Sequence, residues 1–368
     1  MNYSDLGALV LGAATLLPAC LPASHETNPT EETVDDGIAL AVDDAHVYWT
    51  ETYAVWRRSR VGGERELLTD RLYVPSAITQ DAHAVYIGAH GIDVAEEDAG
   101  FEPGVIVRID KATGVLTQLA TGQFEPMAIT LTERGLYWLN AATPTPGGNV
   151  GNPSVMHLSS GDARPVQIAG HQALASGLMT GEDGRVYWTS TCSSYVESCK
   201  DVSGDWMQHR RLRAAEGTTV STLLGDTTAV EVAFMQGEPN APWFVTPEGF
   251  TRWPASASDA DRLLPLQEGG PLVRRVGDLL VTIRETLQDV VIDDPEEGRS
   301  HASEVTSVEL FVSDGTRVAR ARNWPRGGAG MVQDIRGDDE SVFILFEYGL
   351  REVALTDLRA SLVESVGE

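Results

Sequence analysis

Lysine is nearly missing from this chain. Lys111 and Lys200 are its two, so the 27 basic residues are almost all arginine, set against 54 acidic ones. The formal charge of −27 repels phosphate backbones and excludes nucleic acid as a partner. Long apolar runs are missing too: Leu6 to Leu17 counts twelve residues, short of the roughly 20 that cross a bilayer. Outside that segment no stretch sustains the i, i+3, i+4 apolar spacing of a helix, so almost no helix is expected. Catalytic signatures are also absent. There is no G-x-S-x-G elbow, no H-E-x-x-H, no Walker A and no G-x-G-x-x-G after a strand. Their absence leaves, among enzymes, those that assemble a site from several distant segments.

What the chain has instead is repetition. Units begin at Ile38 (IALAVDDAHVYWTET), Ser76 (SAITQDAHAVYIGAHG), Met127 (MAITLTERGLYWLNAA) and Gly177 (GLMTGEDGRVYWTST). Each reads as an apolar strand, a polar turn, a strand rich in β-branched and aromatic residues, and two further strands. Weaker copies follow near residues 230, 272 and 331. Four strands of four to eight residues per unit, repeated at tens of residues, predict an all-β, seven-bladed β-propeller, with six blades as the alternative count. Naming the strands A to D, Tyr48-Trp49, Tyr137-Trp138 and Tyr187-Trp188 fall on B strands. Successive side chains there point to opposite faces and fill the layers on either side of a blade. The rival use of these aromatics is a sugar-stacking ladder.

VYWTET, LYWLNA and VYWTST resemble the YWTD-type propeller repeat, and more broadly exported bacterial propellers. The resemblance covers blades one to four and implies a fold rather than an activity. It departs at the fourth motif position, where the family carries an Asp that braces adjacent blades and this chain has Glu51, Asn140 and Ser190. Leu17-Pro18-Ala19-Cys20 likewise resembles a bacterial lipobox, which implies a signal peptide over 1–19 and acylation of Cys20; a plain secretory signal is the rival. The polar, acidic stretch 20–36 is expected to be a flexible tether and 37–368 the propeller. Cys192 and Cys199, in TCSSYVESCKD, suit a loop-closing disulfide in an exported protein, since no second Cys or His pair stands at zinc spacing.

Loop lengths carry the functional expectation. The A–B and C–D turns are tight, whereas the B–C connections are long in four blades: Gly88–Gly104, Asn140–Pro153, Ser190–Asp205 and Glu285–Glu304. B–C and D–A connections leave a propeller at one end, where long loops on a rigid scaffold concentrate binding residues. Two insertions are acidic, and Asp93, Glu97, Asp293 and Asp294 are the candidate ligands for calcium, which takes six to eight oxygens. Neither insertion has EF-hand spacing, and solvated acidic loops are the plainer reading. His90 and His301 beside these clusters suit a transition metal, while His46 and His83 sit in A–B turns as turn residues. The expectation is an exported, lipid-anchored, monomeric binding or scaffolding module of the bacterial cell envelope. Its partner is a protein, carbohydrate or other small molecule at the B–C face, and the membrane is met through the lipid alone. The alternative is a calcium-dependent hydrolase or lactonase at the channel mouth.

Overall fold

The computed structural model describes residues 32–93, 104–141, 153–170, 172, 175–181, 183–191, 210–227, 231–233, 243–246, 249–252, 273–276, 279–294, 298–314, 318–325 and 332–364. After a two-residue strand, β1 (Glu32–Thr33), the chain winds through consecutive antiparallel sheets. Blade one is β2 (Leu40–Val42), β3 (His46–Glu51), β4 (Ala54–Ser59) and β5 (Glu66–Thr69). Blade two is β6 (Leu72–Gln80), β7 (Ala84–Ile92), β8 (Gly104–Asp110) and β9 (Leu116–Gln123). Blade three is β10 (Pro126–Thr132), β11 (Gly135–Asn140), β12 (Ser154–Ser159) and β13 (Val166–Ala169). Blade four is β14 (Ser176–Thr180), β15 (Val186–Thr191), β16 (Arg210–Glu216) and β17 (Thr219–Thr227). Blade five is β18 (Glu231–Ala233), β19 (Trp243–Thr246) and β20 (Gly249–Arg252). Blade six is β21 (Val273–Val276), β22 (Leu279–Asp294), β23 (Gly298–Ser313) and β24 (Val318–Pro325). Blade seven is β25 (Val332–Gly337), β26 (Ser341–Phe346) and β27 (Gly349–Ala354), followed by α1 (Leu355–Glu364).

The seven first strands close a ring. β2 touches β6, and contact then passes through β10, β14, β18, β21 and β25 back to β2. This is the predicted propeller, with seven sheets among the described residues, six of four strands and one of three. Blade seven obtains its fourth strand from the far end of the chain, since Glu32 pairs with Leu350 and Thr33 with Gly349. Residues that the sequence places in the tether thus belong to the sheet, and Val34 beside them is buried against Trp49, Phe343 and Leu345. The C-terminus, expected to stay extended, turns into α1 instead. Leu355, Leu358 and Leu362 recur at helical spacing and pack on the core shared by blades six and seven.

The Tyr-Trp pairs sit as strand alternation requires. Tyr48 packs toward blade two with Ile78 and Val85, while its neighbour Trp49 packs toward blade seven with Phe343 and Leu345. Trp138 likewise faces Ala77 and Ile106 of blade two, and Tyr137 shares a cluster with Val186 and Trp188 of blade four. All six rings are buried, and truncating a ring of this kind to alanine costs about 3–5 kcal/mol. Each indole N–H also finds an acceptor: Trp49 donates to Glu51 Oε1 at 3.1 Å, Trp138 to Gln123 Oε1 at 2.9 Å and Trp188 to Gln172 Oε1 at 2.9 Å. The fourth motif position keeps a polar role without its Asp. Glu51 also accepts from Trp56 Nε1 at 2.8 Å, and Asn140 donates to Gln123 Oε1 at 3.1 Å.

Strand lengths depart from expectation in blade six. β22 and β23 are 16 residues each, so the connection expected as a loop over Glu285–Glu304 is a β-ribbon. Its inner part pairs within the blade as far as Thr286 with Ser307; a bulge at Thr306 follows, and Leu287 to Asp294 then pairs with Val305 to Gly298 beyond the blade.

Candidate functional site

The two ends of the ring differ in construction. At the A–B end, aspartates close the turns with their own carboxylates, an Asx arrangement. Asp43 Oδ1 accepts from the Ala45 and His46 amides at 2.8 and 2.7 Å, and Asp81 Oδ1 from those of His83 and Ala84 at 2.7 and 2.8 Å. His83 is thus a turn residue, as the repeat implies, whereas His46 opens β3 and pairs with Ser59. The second oxygen receives the motif tyrosine: Tyr48 reaches Asp43 at 2.8 Å, Tyr86 reaches Asp81 at 2.9 Å, and Tyr187 reaches Asp183 at 2.6 Å. Burial and the facing carboxylate both push the Tyr48 and Tyr187 phenols up.

Neighbouring blades are pinned at the same end. Lys111, in the C–D turn of blade two, reaches back to Asp43 Oδ2 at 2.6 Å and donates to Gln80 Oε1 at 2.7 Å and to the Asp81 carbonyl. Burial raises the Asp43 carboxyl, but the hydrogen bonds from Lys111, the Ala45 and His46 amides and Tyr48 outweigh it and hold the group at about 2. Arg60 of blade one makes the equivalent contact with Asp338 of blade seven at 2.9 Å and with Glu340 at 3.2 Å. Between blades three and four the charges are exchanged, with Arg134 in the A–B turn and Glu216 at the end of β16, beside the C–D turn.

The opposite end carries the B–C and D–A connections. There the Val74 amide donates to the Thr52 carbonyl at 2.7 Å, Gly37 to Glu347 at 2.8 Å and Ala141 to Glu125 at 3.0 Å. Asp36, Val74 and Glu125 all take positive φ where the chain enters the next blade. Strain at Val74 therefore belongs to the repeat geometry of that entry rather than to a special site. Blades one and seven have two-residue B–C turns, each exposing a tyrosine, Tyr53 and Tyr348. The ribbon of blade six leaves at this end, where β7, β11 and β15 also end and β8, β12 and β16 begin.

Of the candidate calcium ligands, Asp93 lies at the edge of β7 and is held by a two-pronged pair with Arg71, Nε to Oδ1 at 2.7 Å. Arg71 keeps its carboxyl below the usual range, and a cation there would have to displace the guanidinium. Asp293 and Asp294 stand opposite Arg299 and Gly298 at the outer end of the ribbon. Blades seven and one separate that ribbon from blade two. Glu97, Cys20, Cys192 and Cys199 lie outside the described residues. His90 is half-buried in β7, and loss of water lowers its pKa. Among the described residues, no three His, Cys, Asp or Glu side chains group as a metal centre would need.

On the axis lies a cavity of about 420 Å³, lined by β2, β6, β10, β14 and β25. Its walls are strand edges, because each of these strands is the first of its sheet and pairs on one side only. Bare peptide groups are costly unless satisfied, and side chains of adjacent blades satisfy several. Asp334 of blade seven accepts from the Leu40 amide at 3.2 Å, while Arg336 donates to the Leu40 carbonyl at 3.0 Å. Together they act as a missing strand would. Gln80 Nε2 donates to the Val42 carbonyl at 3.0 Å, and Thr180 Oγ1 to that of Leu131 at 3.1 Å. None of these four carries a motif signal. They emerge only once the A strands are aligned around the ring.

No protein family and no curated protein matches this chain. Solved structures do. A chain of a mitotic checkpoint complex is similar at a TM-score of 0.57 and 12% identity, over 96% of this chain and 99% of that one. A prolyl endopeptidase is similar at 0.51 and 12% identity, with 87% of this chain covering 50% of it. The extracellular domain of a hybrid two-component system from B. thetaiotaomicron is similar at 0.51 and 7% identity, with 88% of this chain covering 39% of that one. Among the described residues no helix is long and apolar enough to cross a membrane. At these identities the likeness is one of fold, and the fold shared is the β-propeller.

Proposed function

We propose that this propeller is an exported binding or scaffolding module of the cell envelope, anchored through an acylated Cys20, that takes its partner at the B–C end. The observation that carries this reading is the asymmetry of the ring. One end is trimmed to Asp-closed turns and ion pairs. The other gathers the connections of blades two, three and four and a ribbon reaching roughly 25 Å at 3.3 Å per residue. Rigid blades bearing enlarged loops at one end are how such scaffolds present a binding surface. In the same reading, residues 1–19 are removed on export and Cys192–Cys199 close the blade-four insertion as a disulfide.

The test is crosslinking of the full chain in its native envelope, beside a variant in which the ribbon is cut back to a turn and one altered at the trimmed end, Glu133→Lys. Ribbon removal should abolish the crosslinked species and Glu133→Lys should leave it. Equal crosslinking by all three chains, or loss with Glu133→Lys alone, overturns the proposal. Mass spectrometry of the membrane fraction should find a lipid on Cys20, and an unlipidated soluble chain refutes the anchor.

A further inference from the structure

Among the described residues, two of the strand edges that line the axial cavity lack the side-chain cover that a third receives. In blade seven, Asp334 and Arg336 flank Ile335 and grip both peptide groups of Leu40 in the next blade. In blades one and two the residues in their places are small: Ala39 and Ala41, and Ala77 and Thr79. These cannot reach the next blade's edge. The edge residues they face are Ile78 and Ile129, and both line the cavity.

Strand periodicity orients their peptide groups. The Asp81 amide bonds the Ala84 carbonyl at 3.0 Å, so Asp81 faces β7, and Ile78, an odd number of residues away, turns its N–H and C=O to the axis. Leu131 shows its carbonyl to the axis, where Thr180 meets it, so Ile129, two residues earlier, does the same. Among the described residues, no side chain bonds the main chain of Ile78 or Ile129.

We infer that the axial cavity is a binding site for a small neutral molecule with adjacent hydrogen-bond donors and acceptors, of polyol or primary-amide type, held by the main-chain edges of Ile78 and Ile129. The Asp334–Arg336 pair shows the complement such an edge takes: an acceptor for the N–H beside a donor for the C=O. Neutrality follows from the lining. Asp334 and Arg336 are its charged side chains among the described residues, and they are engaged with each other at 3.1 Å and with Leu40. A net charge on the ligand would find no counter-charge. The volume, about 420 Å³, falls in the range of small-molecule sites.

Isothermal titration of the full chain tests this, with glucose, sucrose and N-acetylglycinamide as neutral probes and glucuronate and glucosamine as charged counterparts. Millimolar concentrations are needed, because molar polyols stabilise any fold. At least one neutral probe should bind saturably and at least tenfold more tightly than the charged counterparts. Thr79→Arg, which supplies the missing donor to the Ile129 edge, should weaken it tenfold or more. Should Thr79→Arg fail to fold, Met127→Trp fills the cavity from a position 46% exposed, with the same expectation. Absence of saturable binding, equal binding of charged probes, or unchanged affinity in the filled variant overturns the inference. The ribbon-trimmed chain should bind the probe as the full chain does, so this result and that for the B–C face fail separately.

Discussion

Replacing Lys111 by methionine keeps the reach of the side chain and removes its charge and its three donors. The lost contacts are the 2.6 Å bond to Asp43, the 2.7 Å bond to Gln80, the bond to the Asp81 carbonyl and the cation 5.1 Å above the Tyr48 ring. A hydrogen bond to a charged group contributes about 1.5–3 kcal/mol and a partly desolvated cation–π contact about 1. Two effects reduce the sum. The ammonium no longer has to be desolvated, and Asp43 keeps the Ala45, His46 and Tyr48 donors. The expected loss is about 2 kcal/mol at neutral pH, or about 3 °C in melting temperature for a chain of this length.

The acid limb gives a second reading. Asp43 titrates at about 2 in the fold against an ordinary 3.8. A depressed carboxyl contributes stability that is complete above its unfolded pKa and disappears as pH falls through the folded one. Screening at this partly exposed site brings the contribution to roughly 1–2 kcal/mol. Between pH 4 and 2 the wild type should lose that amount and Lys111→Met distinctly less. Urea melts at neutral pH and at pH 2.5, with Asp43→Asn completing a double-mutant cycle, decide the matter. A coupling energy of about 1–2 kcal/mol is expected. Strictly additive single changes, or a Lys111→Met loss below 0.5 kcal/mol, would refute the idea that this pin holds blades one and two together.

Exchanging Arg134 and Glu216 for one another should leave stability within about 0.5 kcal/mol by thermal melt, because both side chains of that pin are more than half exposed. Trp138→Phe leaves Gln123 without its 2.9 Å indole donor and should cost about 1.5–3 kcal/mol in urea. Excising Leu287 to Val305 and rejoining Thr286 to Thr306 through Asn-Gly should shift melting by less than about 2 °C, since the cut falls at the bulge where the ribbon leaves the blade. A larger shift would make the ribbon part of the blade's own structure.

The propeller was legible because its core is repetitive. Tyr48-Trp49 and its copies repeat an inter-blade contact, and chemistry that recurs at one place in a unit reads as packing. Blade seven is harder to see, because Phe343 and Ile344 fill the same buried slots without the motif. Ring closure was illegible for a different reason. Glu32 and Thr33 are two polar residues whose strand character comes wholly from the free edge of β27, and local propensity cannot report a partner some 300 residues away. The helix α1 escaped because its three buried leucines span a little over two turns, too short a run to stand out from alternation.

The functional expectation divides along the same line. That one end is trimmed and the other elaborated could be read from loop lengths. The acidic insertions could not be turned into a site, because charge counts do not say which carboxylate already has a partner, and Asp93 has Arg71. The axial cavity was written in the sequence without being readable there. Asp334-Ile335-Arg336, Ala39-Leu40-Ala41, Ala77-Ile78-Thr79 and Ala128-Ile129-Thr130 look like unrelated strand variants until the ring brings them edge to edge. Then, among the described residues, the difference between a charged pair and two small residues decides whether side chains cover the next blade's peptide groups. Such departures from the repeat acquire meaning only against the neighbours that the closed ring supplies.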